Sequence, residues 1–116
     1  MSVTNLTSEN FATRIADLNV NEWKYLGDKP AVIDFYATWC GPCKAMTPVL
    51  EELSQEYADV DFYKLDVDQE NEIAAAFGIR SVPTFLFIPK EGRPQMAAGL
   101  MPKSEFSNVI KQALGV

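Results

Sequence analysis

Hydrophobic and polar positions change period along this chain, and the changes mark its elements. Residues 31–37, Ala-Val-Ile-Asp-Phe-Tyr-Ala, form a nearly unbroken apolar run, the pattern of a central parallel strand covered on both faces. Shortly after it, Met46, Val49, Leu50, Leu53 and Tyr57 recur at i, i+3, i+4, i+7 and i+11, one face of an amphipathic helix. Upstream, residues 3–6 predict a short strand, and Thr7 or Ser8 an N-cap for a helix carrying Phe11, Ile15 and Leu18 on one face. Downstream, residues 60–67 predict a strand with Leu65 and Val67 on one face, parallel to its predecessor because a helix connects the two. Residues 68–77 predict a short helix carrying Ile73, Ala74 and Phe77 and closed by Gly78. The β-branched and aromatic run 84–88, the turn 89–92 and the return strand 93–99 read as a hairpin. Pro102 opens a last helix with Phe106, Val109, Ile110, Ala113 and Leu114 on one stripe. The order βαβαβ followed by ββα predicts an α/β fold, one mixed sheet between helix layers.

Length and composition narrow the chemistry. At 116 residues, 47% of them hydrophobic, the chain is expected to form a single domain spanning 1–116, burying roughly two thirds of its unfolded surface. A net charge of -6 with no basic patch argues against nucleic acid and points to protein partners. The absence of histidine removes Cys-His nucleophilic catalysis and Cys/His zinc sites, and two cysteines cannot complete a four-ligand metal site, so no bound metal or cofactor is expected. No basic start followed by an apolar stretch is visible, and no run reaches membrane-spanning length. A cytoplasmic protein without a membrane partner is expected, with a periplasmic or exported one as the alternative if a signal had been removed.

Both cysteines lie in Trp39-Cys40-Gly41-Pro42-Cys43-Lys44, at the predicted junction of strand and helix. Cys40 is expected at an exposed helix N-terminus, where unpaired N–H groups and the helix dipole favour thiolate over thiol. Cys43 lies one turn in, close enough for the sulfurs to bond and to resolve a mixed disulfide. Pro42 suits a helix start, where a missing N–H costs nothing. A structural staple is the competing reading, but C-x-x-C in a βα context reads as redox-active. Asp34 is anomalous: a carboxyl in mid-strand of a buried run is costly unless paired, protonated or in use. Burial drives its pKa toward neutrality, where it can exchange a proton with Cys43. The alternative is an acid paired with Lys64 for structure alone, and Lys64 itself reads equally as a solvent-facing strand lysine.

The ordered set Asp34, Trp39-Cys40-Gly41-Pro42-Cys43-Lys44, Pro48, Lys64, Ser81-Val82-Pro83-Thr84 and Gly99 resembles the thioredoxin family, over about residues 6–114. The resemblance implies the thioredoxin fold and a protein disulfide reductase cycling between dithiol and disulfide. In it Cys40 is the nucleophile, Cys43 the resolving thiol and Asp34 the proton carrier, with Lys64 beside it. It also implies a cis peptide at Pro83 that sets the Val82 backbone against extended substrate. Trp39, Ile79, Gly99 and Leu100 then form an apolar collar around the sulfurs, with Gly41 and Pro42 on the substrate surface. By the same resemblance the chain is a monomer that binds no cofactor, reduces disulfide-containing proteins and draws electrons from an NADPH-dependent flavoprotein thioredoxin reductase. A disulfide oxidase or isomerase on the same fold and a non-enzymatic redox-sensing module are the other readings. Tyr36 stands where the family usually has tryptophan, and Leu100 where it has a smaller residue. Residues 19–29 are longer than in a compact family member. There, alternate residues of 22–25 read as a short strand whose aromatics, Trp23 and Tyr25, cap the core, or as a partner contact.

Overall fold

The computed structural model describes residues 3–116, so positions 1 and 2 of the expected 1–116 domain lie outside the described residues. The elements are β1 (Thr4–Asn5), α1 (Ser8–Arg14), β2 (Ala31–Tyr36), α2 (Gly41–Glu56), β3 (Asp61–Asp66), α3 (Asn71–Ala76), β4 (Thr84–Ile88), β5 (Gln95–Ala98) and α4 (Lys103–Leu114). They build one five-stranded mixed sheet in the order β1-β3-β2-β4-β5. The apolar run of β2 thus lies at the centre, parallel to β3 and antiparallel to β4.

Side chains alternate across β2 and divide the core in two. Ala31, Ile33 and Phe35 join Phe11, Ile15, Leu65 and Leu86 on one face. Val32 joins Met46, Leu50, Leu53, Phe62, Phe85, Phe87, Phe106 and Ile110 on the other, beneath α2 and α4. Strand alternation therefore places Asp34 and Tyr36 on Val32's side, the side α2 covers. Pairing of β2 with β3 sets Asp34 beside Lys64 and Tyr36 beside Asp66, on that same side.

The helices follow their local signals. Thr7 caps α1, its hydroxyl accepting from the Asn10 N–H while the Asn10 side chain accepts from the Thr7 N–H. Gly115 closes α4 at φ 68°, in the left-handed region that glycine tolerates. Phe106 inserts edge-on against Phe85 at 4.9 Å between centroids and lies 5.3 Å from Phe87.

Two expectations fail. Leu18 is exposed rather than continuing the buried face of α1, because that helix ends at Arg14 and the chain turns at Ile15 and Ala16. Residues 22–25 form no strand. Their aromatics nevertheless pack on the core: Trp23 lies 6.2 Å from Phe77, and the Tyr25 hydroxyl donates to the Lys29 carbonyl at 2.5 Å. Side-chain burial and a local turn bond fix this segment without a strand partner.

Phe106→Ala is expected to lower the unfolding free energy by about 3–5 kcal/mol, because α4 holds this fully buried side chain against the rings of Phe85 and Phe87 on β4. Urea unfolding of the variant measures this, and a loss below about 1 kcal/mol contradicts the packing described.

Candidate active site

The site forms where β2 ends and α2 begins. The Cys40 N–H donates to the Ala37 carbonyl at 3.2 Å, tightening the turn between the two elements. Cys40 is the N-cap of α2 in extended conformation (φ -92°, ψ 110°), and Pro follows in the first turn. The Cys43 N–H points at the Cys40 sulfur, 3.1 Å away. One of the orphan N–H groups of the helix terminus is thereby aimed at that sulfur, where it stabilises negative charge. The two cysteines form a disulfide with Cα atoms 5.3 Å apart.

Expected exposure does not distinguish them: Cys40 is 4% and Cys43 3% exposed. With the sulfurs joined, both tuck beside Ala37 under Tyr36, Val67 and Val82. Their difference is one of direction. Cys43 lines a cavity of about 240 Å³ shared with Asp34, Tyr36, Lys44, Glu51 and Lys64, whereas Cys40 does not border it.

Asp34 lies in that cavity with 5% of its surface exposed, and its Oδ1 has no hydrogen-bond partner among the described residues. Desolvation raises its pKa from 3.8 to about 7, opposed by the positive charge of Lys64. Lys64 is exposed, and its ammonium lies 5.9 Å from the centre of the Tyr36 ring. Burial, then Asp66 and Asp34, raise the Tyr36 phenol, so it is neutral at physiological pH.

The rest of the predicted surface is only partly gathered. Val82 packs against the cysteines, and the Val82–Pro83 peptide is cis. The Thr84 hydroxyl donates to the Ser81 carbonyl at 2.8 Å, and the Gly99 N–H to the Pro83 carbonyl at 2.9 Å, tying this loop to the end of β5. Gly99 has φ 94°, a conformation that favours glycine. Trp39, Gly41, Pro42 and Leu100 are exposed, Trp39 by 70% and Leu100 by 58%. Ile79 departs from the expected collar: it is half-buried against the Phe11–Phe77 core, because its N–H bonds back to the Ala74 carbonyl and holds it at the end of α3.

Two residues of the site escaped the sequence reading. Asp68 accepts a 2.8 Å hydrogen bond from the Trp39 Nε1–H. Asp66, buried at the end of β3, accepts from the Asp68 N–H at 2.9 Å and so shapes the turn that presents Asp68. The signal lay in the strand pairing: with Tyr36 opposite Asp66, the residues just beyond each strand meet.

No helix among the described residues is long and apolar enough to cross a membrane, and no three His, Cys, Asp or Glu side chains there are grouped to hold a metal. The thioredoxin family profile matches residues 2–112. Thioredoxin from Borreliella burgdorferi is 47% identical over 112 residues, 95% of this chain and 96% of its own length. Thioredoxin from Mycoplasmoides gallisepticum is 44% identical over 84 residues, 72% of this chain and 84% of its own. Thioredoxin NaTrxh from Nicotiana alata superposes with a TM-score of 0.79 at 36% identity, over 97% of this chain and 92% of its own. Spinach chloroplast thioredoxin f superposes with a TM-score of 0.79 at 34% identity, over 97% and 93%. With this likeness running the length of the chain and its cysteine pair disulfide-bonded at the head of α2, the chain belongs to the thioredoxin family of dithiol/disulfide oxidoreductases.

Proposed function

We propose that this chain reduces protein disulfides, with Cys40 as nucleophile, Cys43 as resolving thiol and Asp34 as the group that moves the proton. The observation that carries this division of labour is the cavity joining Asp34 to Cys43 but not to Cys40. The Cys40 thiolate, facing the helix N-terminus, attacks a substrate disulfide, forms a mixed disulfide and releases the first substrate thiolate. Asp34 takes the proton from the Cys43 thiol, and the Cys43 thiolate attacks the Cys40 sulfur. That releases the second substrate thiolate and forms the Cys40–Cys43 disulfide seen in the structure. Two electrons pass to the substrate and two protons balance them. A carboxyl with a pKa of about 7 is suited to both directions, since near neutral pH it accepts and returns a proton with little driving force.

The cis Val82–Pro83 loop beside the sulfurs supports docking of an extended substrate segment along the Val82 backbone, with Trp39, Gly99 and Leu100 as its apolar border. We assign the return of the disulfide to dithiol to an NADPH-dependent flavoprotein thioredoxin reductase, and the working form to a monomer. A reducing compartment such as the cytoplasm suits a protein whose dithiol must be kept charged with electrons.

The assigned roles are tested by trapping. Cys43→Ser is expected to accumulate covalent complexes with disulfide-containing proteins that dithiothreitol releases, while Cys40→Ser accumulates almost none. The reduced parent should precipitate insulin in the presence of dithiothreitol and should be alkylated first at Cys40. Equal trapping by the two variants, or first alkylation at Cys43, would reverse the assignment.

Asp34 also predicts a pH-dependent stability. Its folded pKa lies above its unfolded value, so between 3.8 and about 7 the native state holds a proton that the unfolded state has released. Stability is therefore lost as pH rises through that window, by up to about 4 kcal/mol once the carboxyl is ionised in both states. Asp34→Asn removes this loss. The variant is expected to exceed the parent by about 2–4 kcal/mol at pH 8.5 and by under about 1 kcal/mol at pH 4, in urea unfolding of the oxidised proteins. An equal difference at both pH values contradicts a raised Asp34.

A further inference from the structure

Asp34 and Lys64 are neighbours in the pairing of β2 with β3 and share the cavity with Cys43, yet they form no ion pair among the described residues. Opposite charges placed side by side on the same face of two strands usually close on one another. Here the Asp34 Oδ1 is left without any hydrogen-bond partner, a costly state for a buried carboxyl. The lysine has another resting place. Two residues along β2 from Asp34, on the same face, stands Tyr36, and the Lys64 ammonium lies over its ring at 5.9 Å, within reach of the negative aromatic face. Asp66, opposite Tyr36 on β3, adds negative charge on the same side of Lys64, away from Asp34.

We propose that Tyr36 is a positioning residue for the disulfide exchange: its ring holds the Lys64 ammonium at the mouth of the cavity and away from Asp34, leaving that carboxyl unpaired and free to exchange a proton with Cys43. This rests on the reading of Asp34 as the proton carrier for a disulfide reductase. A lysine in direct contact stabilises the carboxylate and holds it ionised at neutral pH, where it serves poorly as an acid for the return step. A lysine held back leaves the environment of Asp34 dominated by burial. The other charged or titratable groups around Asp34 are Cys43, Lys44 and Glu51, which line the cavity from α2. Asp66 faces Tyr36 from β3, and the residue opposite Asp34 on β4 is the uncharged Phe85.

The experiment follows the Asp34 carboxyl carbon by 13C NMR against pH in the oxidised protein, which needs no turnover. Tyr36→Leu removes the aromatic face, and Tyr36→Phe keeps it without the hydroxyl. In the leucine variant Lys64 is expected to close on Asp34 and lower its midpoint by about half a pH unit or more, a cation–π contact being worth about 0.5–1 kcal/mol. The phenylalanine variant is expected to titrate as the parent does. Water admitted by the smaller side chain would also lower the midpoint, so both substitutions are repeated with Lys64→Met, where the leucine effect is expected to disappear. An unchanged midpoint in Tyr36→Leu overturns the proposal. So does an equal shift in the phenylalanine variant, or a leucine effect that persists without Lys64. Failure of the reductase reading shows separately, as a parent protein unable to reduce insulin.

Discussion

Burial of an ionisable carboxyl at the centre of the sheet is the constraint on which the rest of the site depends. Asp34 has strands on both sides, α2 above it and no hydrogen-bond partner for Oδ1. Such a group is tolerated only if the surrounding structure is stable enough to hold it and the environment lets it remain protonated at moderate pH. Both conditions are met by the layered core. Phenylalanines 85, 87 and 106 on the α2/α4 face and the Phe11–Phe77 cluster on the other enclose β2 so completely that Val32, Ile33 and Phe35 expose no surface. Hydrophobic burial across two faces offsets one unsatisfied polar group in the middle.

Strand pairing then decides what that carboxyl meets. Since β2 and β3 run parallel, residues at matching positions present side chains to the same face, and one pairing places Lys64, Tyr36 and Asp66 around Asp34. The strands' ends supply the remaining pieces. From the end of β2 the chain turns directly into α2 and sets the Cys43 N–H against the Cys40 sulfur. Beyond β3, the turn after Asp66 brings Asp68 to the indole of Trp39. The loop before β4 brings Val82 onto the cysteines. Each contact comes from a different element, yet all lie at one end of the central strands, where α/β proteins place their chemistry.

This arrangement explains which parts of the site were legible in the sequence. A central strand with an acid in its middle, a C-x-x-C at a strand-to-helix junction and a β-branched run at 84–88 are local signals, and the structure places each where its pattern implies. Leu18 and residues 22–25 misled because periodicity over three or four positions cannot tell a helix or strand from a chain that folds back by its side chains. Asp68 was invisible for another reason. Its contact with Trp39 spans 29 residues and depends on the register of two strands, which no single stretch encodes. Ile79 matched a family position, but its burial is set by the way α3 ends.

The two cysteines show why direction matters more than exposure here. Their surfaces are almost equally hidden, so accessibility in the oxidised state cannot assign their roles. What separates them is the field each sulfur meets. Cys40 occupies the N-cap, where the helix offers an N–H and the positive end of its dipole. Cys43 borders a cavity that it shares with a carboxyl whose pKa is raised by burial to about 7. At a helix N-terminus the unpaired N–H groups and the dipole favour the thiolate over the thiol. On the proposed reading, the same α-helix provides both an early nucleophile and a late one, one turn apart. On that reading the order of events follows from the polarity of the helix and the burial beneath it, without any difference in the chemistry of the two side chains.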